Sequence, residues 1–458
     1  MAKYQKYAEY KDSGVEWLGE IPNDWINTKV KYEAYVKARV GWHGLKSDDF
    51  TDEGPYLVTG SDFKGTNIDW SQCYHCDLPR YEQDPYIQLK DGDLLITKDG
   101  TIGKVALVSN LKDDEKATLN SGIFVVRPLR NNFSTKFYFW LLQSKVFKEF
   151  VDFNKTGSTI VHLYQDTFVN FEYASPVLED QIKISNFLDH ETIKIDHLIE
   201  KQQQLIELLK EKRQAVISHA VTKGLDPNVP MKDSGVAWLG EVPEHWKVSA
   251  LGYYSNLNTG ATPDRSNSNY WEGYIPWIKT GEVKYDTIFT AEELITDLAL
   301  KQTSVQLSPP GTLLMAMYGQ GITRGRVALL GVSATYNQAC VAINTNSKVW
   351  NEYLKLFFMA AYHAIRDGGN ETSQMNLNAD IVKKFKITIP TIDEQHQIVE
   401  SINNEIPKID SLIVKAESAI QLMQERRTAL ISAVVTGKID VRNWQAPTLA
   451  EADMELSA

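Results

Sequence analysis

Pro263-Asp264 followed by Glu282-Val283-Lys284 has the composition of a PD…ExK nuclease site, whose carboxylates would hold Mg²⁺. The matching stretch earlier in the chain, Asp62-Phe63-Lys64, has no Pro-Asp before it. Short motifs of this kind arise by chance, so nuclease chemistry is not expected. Asp84-Pro85-Tyr86 is one proline short of the DPPY of amino-methyltransferases, and no glycine loop for S-adenosylmethionine precedes it. Cys73, His75 and Cys76 are metal-ligand types, but no second pair completes four donors. Gly100-Thr101-Ile102-Gly103 and Gly319-Gln320-Gly321 fall outside the GxxxxGK[ST] phosphate cradle and read as turns. The residues therefore point to no catalytic site and no metal site in this chain.

The side chains that remain suit recognition. Reading DNA requires groups that reach base edges, together with cations for phosphates. In the second half of the chain Thr262, Arg265, Lys279, Tyr318, Gln320, Arg324 and Arg326 stand on polar, glycine-flanked loops. In the first half Lys37, Arg39, Trp42, His43, Lys64, Lys98, Thr101 and Lys104 take the same part. The formal net charge of −11 argues against a generally basic surface, so any nucleic-acid contact must be local. The acidic remainder suits protein partners.

These loops belong to a duplicated scaffold. KDSGVEWLGEIPNDW (11–25) returns as KDSGVAWLGEVPEHW (232–246), with 11 of 15 positions identical. LLKEKRQAVISHAVTKGLD (208–226) returns as LMQERRTALISAVVTGKID (422–440). Between these anchors the order persists: GDLLITKDGTIGKVALV (92–108) answers GTLLMAMYGQGITRGRVALL (311–330), and SPVLEDQ (175–181) answers IPTIDEQ (389–395). The globular middles diverge most, and the helices and entrances least. A common frame carrying two different recognition surfaces has this signature.

Residues 178–222 and 392–436 have helix composition. Ile195, Leu198, Gln202, Leu205, Leu209 and Val216 follow 3–4 spacing, as do Ile409, Leu412, Ala416, Ala419, Met423 and Leu430, which predicts a coiled-coil seam. Lys212 and Arg426 occupy the skipped seam position. Pro407 is expected to open or kink its helix, leaving about 30 residues, roughly 45 Å, on each. Gly224 and Gly437 are placed to end the helices. DLLIT, KVALV and IFVVRPL in one half, and TLLMAMY, RVALL and ACVAIN in the other, read as strands. The expected fold is α+β: two mixed α/β target-recognition domains separated by two long helices that pair as an antiparallel coiled coil, with an internal pseudo-two-fold repeat. The boundaries are 1–176, 177–225 (first spacer helix), 226–389 and 390–440 (second spacer helix), with a disordered tail over 441–458.

The doubled entrance KDSGVxWLGExPxxW, the helix ends RQAVISHAVTKG and RRTALISAVVTGK, and GATPDRSNSNYWEGYIPWIKTGEV (260–283) closely resemble the specificity subunits of Type I restriction-modification systems. The resemblance runs from Lys11 to Asp440, departing in the first half, where RVGWHGLKSDDF (39–50) replaces the GATP segment. It implies that each globular part reads half of a split, asymmetric double-stranded DNA target, and that the helices act as a ruler between the halves. On one face of the duplex those halves lie about one turn, roughly 34 Å, apart. It further implies two DNA-adenine methyltransferase subunits docked on the helices and translocating nuclease subunits joined to that core. S-adenosylmethionine, ATP and Mg are then expected on those partners, with no cofactor in this chain. Three cysteines make no disulfide framework, no run of about 18 apolar residues exists, and MAKYQKYAEYKDSG has no apolar signal core, so a cytoplasmic protein without a membrane span is expected. The rival readings are an enzyme that acts alone and a coiled-coil interaction protein.

Overall fold

The computed structural model describes residues 4–39, 45, 47–130, 133–154, 162–319, 322–367 and 377–447. The chain divides into two compact units, 1–203 with 418–458, and 204–417. Two long helices, Leu178–Lys223 and Ile392–Val435, contribute a segment to each unit.

Each unit opens with an antiparallel hairpin made by the duplicated entrance motif: Tyr10–Asp12 with Glu20–Pro22, and Met231–Asp233 with Glu241–Pro243. A two-stranded ladder then brings the start and end of the globular part together, Ile26–Lys29 with Glu172–Ser175 and Lys247–Ala250 with Lys386–Ile389. Inside the first unit, the main sheet runs Val105–Leu107, Leu94–Thr97, Ile123–Pro128, Ala34–Ala38, all antiparallel. Inside the second, the order is Ser255–Thr259, Cys340–Thr345, Leu313–Ala316, Val327–Leu330, with Thr287–Ile288 added in parallel. A three-stranded sheet accompanies each.

The central strands LLIT and LLMA are buried throughout because both faces are covered. Alternate side chains point to opposite faces. Leu94 and Ile96 join the core that faces the helices, while Leu95 joins a second core behind the sheet. Leu313 and Met315 divide from Leu314 and Ala316 in the same way.

The long helices run antiparallel within each unit. In the first unit Asp196 pairs with Arg427 at 2.9 Å, while Phe187, earlier in its helix, meets Trp444 beyond the end of the other. In the second unit Arg213 pairs with Asp410 at 2.8 Å, and the Val221 carbonyl accepts from Thr388, which precedes the partner helix. The repeat carries Asp196 onto Asp410 and Arg213 onto Arg427, so one ion pair has been duplicated with its roles exchanged.

The seam differs from the sequence expectation in one of its two rows. Ile195, Leu209, Ile409 and Leu430 are buried as expected, and Gln202, Val216 and Met423 are half-buried. Leu198, Leu205 and Leu412 are instead 50%, 42% and 49% exposed. The second row is shifted by one residue, to Ile199, Ile206, Arg213 and Ala220, and to Ile413, Ile420, Arg427 and Val434. Ala419 is half-buried, flanking Ile420. The seam cations are accordingly Arg213 and Arg427, and Lys212 and Arg426 are exposed. Pro407 lies inside its helix with an exposed side chain. On that open side, water can satisfy the backbone carbonyl it leaves without a partner. The helices therefore reach 46 and 44 residues, about 69 and 66 Å at roughly 1.5 Å per residue.

Both helices end at a left-handed glycine against which an entrance hairpin docks. A Cβ on Gly437 would stand 2.4 Å from Pro22, and one on Gly224 would stand 3.3 Å from Trp246. Tyr10 Oη donates to the Gly437 carbonyl at 3.1 Å, and the Asp440 N–H donates to the Gln5 carbonyl at 2.9 Å. The N-terminal segment thus occupies at the end of the second helix the place that residues 225–246 hold by chain continuity at the end of the first. At the helix starts, buried Gln181 and Gln395 accept from the Ser134 and Trp350 N–H groups and donate to Pro176 and Pro390 carbonyls, fastening each helix to its globular part. The start of the segment expected to be a disordered tail is packed instead: Val441 is buried and Trp444 packs on Phe187 and His190. Residues 448–458 lie outside the described ones.

Glu394 caps the second long helix with Thr391 and also accepts from His245 at 2.7 Å and Trp246 at 3.0 Å. Burial alone would raise its pKa, but these hydrogen bonds overcome burial and hold it at about 2. A carboxyl depressed in the folded state stabilises fully above its unfolded pKa, and that contribution is lost as pH falls through the folded value. The second unit should therefore weaken progressively from about pH 4.5 to about 2. Glu394→Gln should remove this acid-dependent component, as measured by thermal unfolding across that range. On the seam, Ile409→Ala should cost about 2–5 kcal/mol. Leu412→Ala, three residues on and half exposed, should cost within roughly 0.5 kcal/mol. Denaturant titration of both variants checks this, and equal losses would refute the revised seam.

Candidate nucleic-acid interface

The turn that carries Lys98, Thr101 and Lys104 is closed by its own hydrogen bonds. In the first unit, Thr97 Oγ1 donates to the Thr101 carbonyl and accepts from the Lys104 N–H at 3.0 Å. Gly100 and Gly103, at φ 69° and 81°, supply the turns. The result is a tight Lys98–Lys104 loop with Thr101 and Lys104 exposed. Lys98 is half-buried, its Nζ 5.6 Å from the Phe124 ring centroid, and neighbouring Asp99 bonds His162 at 2.6 Å. Lys37 is exposed on the edge strand Ala34–Ala38, 5.7 Å above Tyr35, and exposed Lys64 pairs with Asp69 at 3.3 Å.

Arg39 is different. It is only 2% exposed, and its guanidinium donates to the Leu119 carbonyl (2.8 Å), Thr118 Oγ1 (3.0 Å) and Asp84 (3.0 Å). Burial lowers its pKa while Asp84 raises it. The structure thus places Arg39 in the interior, cross-linking strands, and not on a loop surface. The same bond gives Asp84 of the Asp-Pro-Tyr fragment a structural role. Trp42, His43 and Gln320 lie outside the described residues.

In the second unit the predicted cations fall into two groups. Arg265 stacks on Trp271 and Trp277, with centroid distances of 4.0 and 4.9 Å, and pairs with Glu293. Lys279 pairs with Glu292 at 2.7 Å and Glu293 at 3.1 Å. Two cations thus meet two carboxylates, which offset their charge. Hydrogen bonds from Arg265 and then Lys279 draw the Glu293 pKa down, opposed by burial. Exposed Thr262 donates to Gln338 beside this patch. The other group, Arg324 and Arg326 with half-buried Tyr318, stands at the turn that answers Lys98–Lys104.

The nuclease-like residues are engaged in backbone bonding. Asp264 accepts from Ser266 N–H at 2.9 Å, and Glu282 accepts from the Lys279 and Glu292 N–H groups at 2.7 and 2.9 Å. Cys73 and Cys76 belong to separate buried clusters, and burial raises both thiols. Among the described residues no group of three or more His, Cys, Asp or Glu could hold a metal, and no helix is long and apolar enough to cross a membrane.

The sequence model described as the type I restriction modification DNA specificity domain matches residues 45–208 and again 243–412. The chain belongs to that family. This specificity subunit is similar to the MjaIX type I restriction enzyme specificity subunit of Methanocaldococcus jannaschii, at 21% identity over 96% of this chain and 99% of that one. It is also similar to the EcoR124I/EcoR124II specificity subunit of Escherichia coli, at 26% identity over 41% of this chain and 46% of that one. A chain from a structure describing assembly and conformational transition of the type I R-M system superposes with a TM-score of 0.71 at 13% identity, covering 91% of this chain and 98% of that one. The HsdS subunit from Thermoanaerobacter tengcongensis superposes with a TM-score of 0.54 at 12% identity, over 92% and 98%. At such identities the structural likeness speaks for the fold alone. A specificity subunit is the DNA-recognition component of its system and is not the catalytic one.

Freeing Arg265 and Lys279 from their carboxylates should expose charge to phosphates. Glu293→Gln is expected to tighten binding to random-sequence duplex and to steepen the slope of log affinity against log salt by roughly one. Anisotropy titrations at several salt concentrations check this, and an unchanged slope would show that the pair does not face DNA.

Proposed function

We propose that this specificity subunit reads an asymmetric two-part DNA target and brings methyltransferase and restriction subunits to it. The observation that carries the reading is a duplicated frame with unlike loops at matched positions: Lys98–Lys104 in one unit and Tyr318–Arg326 in the other. An identical pair of heads would read a symmetric target, whereas these present different donors and cations. The globular parts, roughly 1–176 and 226–389, act as the target-recognition domains, and the long helices set the spacing between half-sites.

The helices also bear duplicated exposed apolar residues away from the seam. Leu198 and Leu412 are 50% and 49% exposed, and Leu208 and Leu422 are 62% and 65% exposed. The helix repeat relates the members of each pair. Exposed leucines that recur with the repeat favour two copies of one partner, in keeping with a pair of methyltransferase subunits. S-adenosylmethionine, ATP and Mg then belong to the partner subunits, and the assembly works in the cytoplasm.

Replacing residues 26–174 with the corresponding part of another family member should alter one half of the target and leave the other intact. Mapping modified adenines in cells carrying the exchange reads the outcome. A change in both halves, or in neither, would overturn the modular reading. Cutting or methylation by the purified chain alone would instead favour an enzyme.

A further inference from the structure

In the second unit, residues 337–339 join the strand Thr335–Tyr336 to the strand Cys340–Thr345. This loop is tied to the start of the Tyr318–Arg326 turn, because the Met317 N–H donates to the Ala339 carbonyl at 2.8 Å. Asn337 fastens it further. Its N–H donates to the Ile278 carbonyl at 2.9 Å, its carbonyl accepts from the Cys340 N–H at 3.0 Å, and its Oδ1 accepts from the Ala339 N–H at 3.1 Å. Asn337 and Ala339 are half-buried, and Gln338 between them is exposed.

The GATP segment (260–263) lies against this loop. Gly260 permits the approach, since a Cβ there would stand 2.1 and 2.3 Å from the Tyr336 and Asn337 carbonyl oxygens. The Ala261 N–H donates to the Tyr336 carbonyl at 3.0 Å, and the Ala261 carbonyl accepts from Trp277 Nε1 at 2.9 Å. Thr262 is thereby held beside Gln338, and its hydroxyl donates to Gln338 Oε1. That bond sets which way the carboxamide is turned. A carbonyl oxygen accepts two bonds and an amide nitrogen donates two, so the exposed group still offers an acceptor and donors side by side. This pairing matches the N6 amino group and N7 of adenine in the major groove. We propose that Gln338 reads an adenine in the half-site of the second unit, with Thr262 as its positioning residue.

This deepens the DNA-reading function and rests on it. The first unit keeps the frame and changes the reader. Its Lys98 N–H donates to the Gly122 carbonyl at 2.8 Å, which repeats the bond from Met317 to Ala339. Aligning ATLN (117–120) with ATYN (334–337) sets half-buried Ser121 opposite Gln338. The Leu119 carbonyl, opposite that of Tyr336, accepts from Arg39 at 2.8 Å where the second unit uses a GATP backbone N–H. A serine hydroxyl cannot offer the two-pronged pattern of a carboxamide, so the matched loops suit different bases.

The test is mapping of modified adenines in cells that carry the system with the wild-type or a variant chain. The half-site of the second unit is the half that survives exchange of residues 26–174. Gln338→Ala should relax one adenine position of that half, lowering its preference over the other bases by roughly 5- to 150-fold, and leave the remaining positions intact. Gln338→Glu, which keeps the size of the side chain and accepts only, should turn the same position toward cytosine. Thr262→Val should weaken the preference at that position, and Thr262→Ser, which retains the hydroxyl, should restore it. An unchanged target in both Gln338 variants would overturn the assignment alone. So would a uniform drop in modification with every base preference kept, a change in the other half, or a second-unit half-site without an A·T pair. A wild-type chain that directs no sequence-specific modification overturns the DNA-reading function, and the assignment with it.

Discussion

The antiparallel seam between the long helices is the constraint on which the remaining architecture depends. Its rows bury Ile195, Ile206 and Leu209 from one helix and Ile409, Ala416 and Leu430 from the other. Fully burying one such aliphatic side chain is worth about 1.5–3 kcal/mol. The two Asp–Arg pairs are partly exposed, and pairs of that kind contribute about 0–1 kcal/mol each. Burial therefore supplies the stability, and the ion pairs select direction and register. Arg213 and Arg427 suit this role because an arginine stem can lie along an apolar row while its guanidinium reaches the rim.

Each helix is held at both ends by residues of the repeat. A buried glutamine ties its start to the globular part, and a left-handed glycine at its end admits an entrance hairpin with a fully buried tryptophan, Trp25 or Trp246. These fastenings lead into the ladder that closes each globular part. Central strands covered on both faces leave little room for variation, so difference between the copies concentrates in the turns at strand ends. That is where Lys98–Lys104 and Tyr318–Arg326 diverge, and where recognition can change without disturbing the core.

Much of this was legible from residue order. The doubled entrance, the helical composition, the terminating glycines and the strands DLLIT and TLLMAMY all form the elements that their patterns suggest. Pro407 was misleading: proline is costly inside a helix in general, but an exposed position on a helix anchored elsewhere tolerates it. Arg39 was misread because a basic residue beside a glycine-containing loop looks like surface, and only the fold brings Asp84, Thr118 and Leu119 around it.

The sequence alone determined that the chain is a duplication, where its helices and strands lie, and which family it resembles, because periodicity, turn residues and repeated motifs are local properties. The seam row was beyond it. Leu198 and Ile199, Leu205 and Ile206, and Leu412 and Ile413 are adjacent apolar pairs, and either member satisfies 3–4 spacing. Only the packed partner helix chooses between them. The same holds for the loop cations. Their charge is written in the chain, but whether a carboxylate neutralises them or the core encloses them depends on residues brought together by folding.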